Sequence, residues 1–201
     1  MGDEPARHVD CCTTYSMDVL QAIGSRRSVR TYSSDPVDEA TLHELLAAAV
    51  QAPSALNHQP WGFAIVQDIG QLKRYSDRIK AMNRASTDPK AIKYGELMSS
   101  SAFDVFYDAG TLVVIGVEER TPYSEADVWL AAENFMLAAC AAKLGTCCVG
   151  FAAELLKAPE VKAELGFAEA GAAIAAIVVG YPSLSTPGVL RRAPKIVSWS
   201  R

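Results

Sequence analysis

The 201-residue chain has no run approaching the roughly twenty unbroken apolar positions that a membrane span requires. Its opening stretch carries Asp3, Glu4 and Asp10 where a secretory leader needs a basic start and an apolar core. No membrane association is therefore expected, and a cytoplasmic location is. Charge of one sign is missing too: the formal net charge is −4, so nucleic acid is not an expected partner and any basic cluster is local. The chain also lacks a G-x-G-x-x-G fingerprint, a G-x-x-x-x-G-K-[ST] loop, a G-x-S-x-G elbow and an H-E-x-x-H helix. These absences count against a Rossmann or P-loop nucleotide site and against the commonest hydrolase and zinc-protease chemistries.

Cysteine is present but in the wrong pattern for a disulfide framework. The five residues are odd in number and fall as Cys11-Cys12, Cys140 and Cys147-Cys148, which reads as reduced thiols. His8 precedes the first pair, but adjacent cysteines lack the two-residue gap of a zinc knuckle and no second ligand pair follows, so no metal is expected. Nothing in the chain looks like a repeat, a low-complexity tract or a Gly/Ser linker. The expected organisation is an N-terminal arm over 1–16 and one domain over 17–201, a length that buries a sizeable core without staples.

What is there reads as alternating helices and strands. A short helix is expected from Met17 to Ile23, capped by Ser16 and stopped by Gly24, with Val19, Leu20 and Ile23 on one face. A stronger one runs from Asp38 to Ala52, where Leu42, Leu45, Leu46, Ala49 and Val50 recur at helical spacing and Pro53 ends it. Trp61–Val66, Leu112–Val117 and Ile174–Val179 are apolar runs with the composition of buried strands. Glu125 to Leu144 is the longest helix, apolar on most of its circumference, and is expected to be buried in the core or at a subunit contact. Gly145 to Phe151 follows as a loop. The sum is an α+β fold of mixed layers.

Four segments carry candidate chemistry. Arg26-Arg27-Ser28-Val29-Arg30 follows the first helix, and if extended it projects Arg26, Ser28 and Arg30 from one face. Two guanidinium forks around a hydroxyl would receive a phosphate, or a carbonyl that becomes anionic on reduction; a solvated charge run is the alternative. The second segment, Ala52 to Trp61, is bracketed by Pro53 and Pro60 and offers Ser54, Asn57 and Gln59. Its donors and acceptors suit the uracil-like edge of a flavin, unless they only satisfy their own turn. Gly145 to Phe151 is the third, where glycine would let backbone approach a planar ring. Arg191-Arg192-Ala193-Pro194 is a second basic point late in the chain.

Taken in order, R-x-S-x-R, P-S-x-x-N-x-Q-P-W, a long helix leading into G-T-C-x-x-G-F, V-V-G-Y-P at Val178 to Pro182 and a late basic pair resemble the FMN-dependent nitroreductase family over about Ala22 to Trp199. The resemblance implies a central, mostly antiparallel sheet flanked by helices, a homodimer, and FMN as cofactor. It implies an enzyme that moves hydride from NAD(P)H to a small electron-poor acceptor, such as a nitroaromatic or a quinone, in ping-pong order. An FMN-binding redox sensor without turnover is the alternative. By the same resemblance Arg26, Ser28 and Arg30 contact FMN, with Arg26 and Arg192, beside Arg191, at the phosphate and Arg30 near the pyrimidine edge. Arg27 contributes mainly its backbone. Pro53, Ser54, Ala55, Asn57 and Gln59 reach the flavin from the second subunit, and Cys148, Val149 and Gly150 lie against the ring. Val149 departs from the acidic residue many relatives carry there. A thiol role for Cys147 and Cys148 is not expected, His58 is a candidate proton donor, and the stretch from Ala81 to Lys93 is expected to form a lid.

Overall fold

A computed structural model of the chain describes residues 17–201; the arm at 1–16, with His8, Cys11 and Cys12, lies outside the described residues. Helices α1 (Val19–Ser25) and α2 (Glu39–Ala49) lead into strand β1 (Trp61–Val66). Then come α3 (Ile69–Ala85), α4 (Pro89–Lys93), α5 (Gly95–Ser99), β2 (Thr111–Val117) and α6 (Ser124–Ala141). The chain continues through β3 (Gly145–Cys148), α7 (Ala153–Leu156), α8 (Pro159–Glu164) and β4 (Ala172–Gly180). The four strands form one antiparallel sheet in the order β1-β2-β4-β3. This is the expected mixed architecture.

Strands β2 and β4 are central and apolar at nearly every position because both faces are covered. Side chains alternate between two cores. Leu112, Val114, Ala176 and Val178 pack with Leu72, Ile79 and Met98 from α3 and α5, and with Leu155 from α7. Val113, Ile115, Ala175 and Ile177 pack with Leu42 and Leu45 of α2 and with Val128 and Phe135 of α6. Each large side chain so buried contributes about 1.5–3 kcal/mol. At the bulge between Ile115 and Gly116 only glycine fits, because a Cβ at 116 would stand 2.1 Å from the Ala172 carbonyl oxygen.

Two expectations need correction, and one helix lies outside them. Gly145 to Phe151 is not all loop, since Gly145 to Cys148 pairs with Gly180 to Ile177 as the outer strand β3. Four residues bracketed by glycine are too short to carry a strand pattern on their own. Helix α1 starts two residues later than expected, with Asp18 and Gln21 forming a capping box in place of the Ser16 cap. It also runs through Gly24 and ends where Arg26 turns extended at ψ 133. Finally, α3 is not among the elements expected above: Asp68 caps it by accepting from the Gln71 backbone, and Leu72, Tyr75 and Ile79 sit at helical spacing on its buried side.

Among the described residues, the outer faces of α1 and α6 are uncovered apolar surfaces. On α1 the core contact is made by Ala22, so Val19, Leu20 and Ile23 face outward, Leu20 with 76% exposure. Helix α6 is buried through Ala131, Phe135 and Ala139 but presents Trp129 and Leu130 on its other side. Among the described residues no helix is long and apolar enough to cross a membrane.

Candidate functional site

The segment after α1 runs beside the free edge of β3. Ser28 pairs with Thr146 in a parallel bridge, and the Val29 amide donates to the Thr146 carbonyl at 3.0 Å. Glycine at 145 is required by this pairing: a Cβ there would lie 2.7–2.9 Å from three atoms of Val29. Gly150, by contrast, has open space around the position of a Cβ, so the close approach expected of this glycine-bracketed stretch is to Val29 at one end only.

Because the pairing is parallel, the two segments share a direction. At one end Arg26 and Arg27 border a cavity of about 210 Å³ with Thr146 and Thr186. At the other end Arg30 and Cys148 border a cavity of about 1030 Å³, whose remaining walls include Tyr107, Phe151 and Tyr94. Phe151 and Tyr94 meet edge to face at 5.1 Å. Met82 and Asn83 from the end of α3, Ser86 and Asp88 from the turn that follows, and Ala91 of α4 also line this cavity. The stretch expected to be a lid is thus a cavity wall.

Each cation has a distinct setting. Arg26 is partly covered and lies 3.7 Å from the Glu133 carboxylate of α6. Arg27 folds back, donating from Nη1 to the carbonyls of Gly24 at 2.8 Å and Arg26 at 2.7 Å, while its Nε is buried without a partner. An unpaired buried donor is costly and fits an anionic group completing the small cavity. Arg30 donates from Nε to the Tyr107 hydroxyl and from Nη1 to the Ser28 carbonyl, both at 3.3 Å. The Tyr107 bond is the main reason its pKa is raised above the arginine norm. Arg191 and Arg192 are exposed on the C-terminal segment, which passes near Arg27: a Cβ at Gly188 would stand 3.6 Å from the Arg27 Nη2.

The loop Pro53 to Gln59 does not join these groups within one chain. It leads into β1, at the opposite edge of the sheet from β3, roughly 14 Å away across three inter-strand gaps of about 4.8 Å. Its backbone is pinned by the Asp127 carboxylate, which accepts from the Ala55 amide at 3.0 Å, and by Ser54 Oγ, which accepts from the Gln59 amide at 2.9 Å. Leu56, Asn57 and Gln59 all adopt left-handed φ, a strained arrangement that turns Leu56 outward to 89% exposure. His58 is exposed in the same loop. The turn is thus satisfied by Ser54 and Asp127, and the Asn57 and Gln59 side chains take no part in pinning it.

The G-T-C-C-V-G segment divides. Cys148 and Gly150 reach the large cavity, whereas the Val149 side chain is buried in the core and its amide donates to the Ala176 carbonyl at 2.8 Å. Burial raises the pKa of both Cys147 and Cys148, opposed at Cys147 by the nearby Arg30 charge. Both are therefore thiols at neutral pH, and neither is a ready nucleophile.

The profile of the Nitroreductase family matches residues 23–181. The chain belongs to the Nitroreductase family. It is 26% identical over 170 residues to a putative NADH dehydrogenase/NAD(P)H nitroreductase of Archaeoglobus fulgidus, spanning 82% of this chain and 86% of that one. A nitroreductase with bound FMN from Bacteroides fragilis NCTC 9343 superposes with a TM-score of 0.77 at 28% identity, over 90% of this chain and all of that one. Another with bound FMN, from Desulfitobacterium hafniense DCB-2, reaches a TM-score of 0.78 over 92% of this chain and 100% of its own at 22% identity, and so shares the fold.

For this nitroreductase-family chain, the residues that sequence reasoning missed are Tyr94, Phe103 and Tyr107, which line the large cavity together with Phe151 of the glycine-bracketed segment. Aromatics ahead of an apolar strand read as core. Only the left-handed backbone of Tyr107 and Asp108 turns Tyr107 toward the cavity, and no glycine marks that turn.

Proposed function

We propose that the chain, an FMN-dependent oxidoreductase by family, takes reducing equivalents from NADH or NADPH and delivers them to a small electron-poor acceptor such as a nitroaromatic or a quinone. The observation that carries this reading is the pair of cavities on one parallel edge, cationic and small at Arg26 and Arg27, large and aromatic at Arg30 and Cys148. A ligand with an anionic group at one end and a flat ring system at the other matches that layout. Bound FMN supplies reversible two-electron chemistry of the hydride type.

The protein's own groups bind and orient. Arg26 and Arg27, with Arg192 from the C-terminal segment, neutralise the phosphate end, and Ser28 adds a hydroxyl. Arg30 supplies a fixed positive charge at the ring end, where it favours any state carrying extra negative charge. Tyr94, Phe103 and Phe151 exclude water and accept a flat substrate. Nicotinamide and acceptor occupy this cavity beside Arg30 in turn.

The site is shared between two copies of the chain. Supporting this are the distance between Pro53–Gln59 and Arg26–Arg30 in one protomer and the outward apolar faces of α1 and α6, which a second copy would cover. The test is direct. Purified protein is expected to be yellow, to release FMN on acid treatment, and to oxidise NADH or NADPH anaerobically when an acceptor is supplied. Initial-rate plots at varied acceptor are expected to be parallel. An FAD-loaded protein, or one taking up no flavin, refutes the cofactor; intersecting lines refute the shared cavity. Flavin uptake with no turnover of any acceptor favours a redox sensor instead.

A further inference from the structure

The turn between α5 and β2 is built around its own geometry rather than glycine. Asp104 Oδ1 accepts from the Phe106 amide at 2.8 Å, and the Tyr107 amide donates to the Asp104 carbonyl at 3.0 Å. The turn is tied to α3 by the Val105 amide, which donates to the buried Ser76 hydroxyl at 3.0 Å. Val105 and Phe106 are sunk in the core. Tyr107 at φ 59 and Asp108 at φ 54 then reverse the chain in the left-handed region, which an aspartate tolerates and a bulky tyrosine disfavours. Strain of this kind persists where the surroundings over-determine it, and here it swings Tyr107 out of the core onto the cavity wall.

There its hydroxyl meets Arg30. The guanidinium carbon lies 5.8 Å from the Tyr107 ring centroid, yet Nε is 3.3 Å from the phenol oxygen. A cation that close to the oxygen and that far from the centroid sits off the hydroxyl end of the ring, not over its face. The contact is therefore a hydrogen bond, with little cation–π character. Phe103 holds the ring from the side at 6.1 Å, edge to face. The Tyr107 hydroxyl and the Ser28 carbonyl take up two of the five guanidinium donors of Arg30, a residue of the cavity wall.

We infer that Tyr107 is a positioning residue for Arg30: the left-handed turn at Tyr107 and Asp108 holds the phenol so that it fixes the guanidinium at the ring end of the site. The inference rests on the reading of that site as the FMN site. Its sequence form is an unremarkable tyrosine, so the role belongs to the backbone conformation and not to a motif.

The experiment compares wild type, Tyr107→Phe, Arg30→Lys and the double variant, each as FMN-loaded protein, by FMN retention on serial dilution and by the midpoint potential. Phenylalanine keeps the ring and loses only the hydroxyl. Tyr107→Phe is expected to weaken FMN binding about three- to tenfold, since a partly exposed bond to a charged group is lost. If the loss falls mostly on the reduced form, the potential drops by roughly 15–30 mV, a tenfold change corresponding to about 30 mV for two electrons. Lysine has no Nε fork to receive the phenol, so in the Arg30→Lys background the Tyr107→Phe change is expected to alter FMN retention less than twofold. Additive effects, or a Tyr107→Phe protein equal to wild type in both readouts, overturn the inference while leaving the cofactor reading intact. A wild-type protein that takes up no FMN overturns the cofactor reading itself.

Discussion

Replacing Arg30 by Ala separates a binding role from a structural one. Both of its hydrogen bonds are 3.3 Å long and lie at the exposed wall of the cavity, so water can take over the Tyr107 hydroxyl and the Ser28 carbonyl when the guanidinium is gone. The folding free energy of the FMN-free protein should change by less than about 1 kcal/mol, as for an ordinary surface substitution. A bound anionic or electron-rich ring edge loses much more, because a charge-assisted contact is worth about 1.5–3 kcal/mol. At about 1.4 kcal/mol per tenfold, FMN affinity should fall roughly 10- to 150-fold. The reduced cofactor carries more negative charge and should suffer the larger share, lowering the midpoint potential and slowing reduction by NAD(P)H. Urea unfolding without flavin, fluorescence titration with FMN and potentiometry measure the three quantities. A loss of 2 kcal/mol or more in folding with unchanged FMN affinity would show that Arg30 only braces the turn at Tyr107.

Gly145→Ala should cost about 1–3 kcal/mol in unfolding experiments through overpacking against Val29 and weaken FMN binding as the Arg26–Arg30 segment lifts from β3; Val29→Ala in the same protein should restore part of both. On the proposed dimer, the wild type should sediment at twice 21.5 kDa and Leu20→Glu, at an outward position of α1, should leave the protomer folded and bring the mass to about 21.5 kDa; a variant that still sediments as a dimer removes α1 from the proposed interface. The buried thiols set a pH limit. Their folded-state pKa values are raised by burial, so their contribution is intact below the unfolded thiol pKa of about 8.5 and is lost as the pH climbs through the folded value. Urea unfolding at pH 7 and pH 9.5 should show wild type losing more stability than the Cys147→Ala/Cys148→Ala double variant; equal losses would place the alkaline sensitivity elsewhere.

Strands β1, β2 and β4 were readable because each is a mostly apolar run of six or more residues carrying β-branched or aromatic side chains, whereas β3 takes its strand character from pairing with β4, a tertiary event with no local sign. The amphipathic pattern of α1 was equally plain in sequence, but periodicity identifies an apolar face without saying what covers it, and here the protein's own core uses only Ala22. The ordered motifs located Arg30, Cys148 and Gly150 at the large cavity. They also led to Val149, whose side chain points into the core, because a motif marks a stretch of backbone and neighbouring side chains in an extended stretch point opposite ways. Tyr107 stayed hidden because its placement depends on left-handed φ at Tyr and Asp, residues whose sequence gives no notice of it.

The parallel bridge from Ser28 to Thr146 also fixes when the site can exist. Its two strips of backbone lie about 120 residues apart, so the cavities appear only after a loop of most of the chain has closed, among the slowest contacts for a chain of this size. On the ribosome, made from the N-terminus onward, the Arg26–Arg30 segment emerges long before β3 can receive it. A nascent chain therefore carries its cationic strip exposed and unformed, and cofactor cannot act as a template for early folding. Instead the flavin locks a nearly finished protein, so FMN added to a refolding mixture should protect the completed chain against unfolding without speeding its first steps.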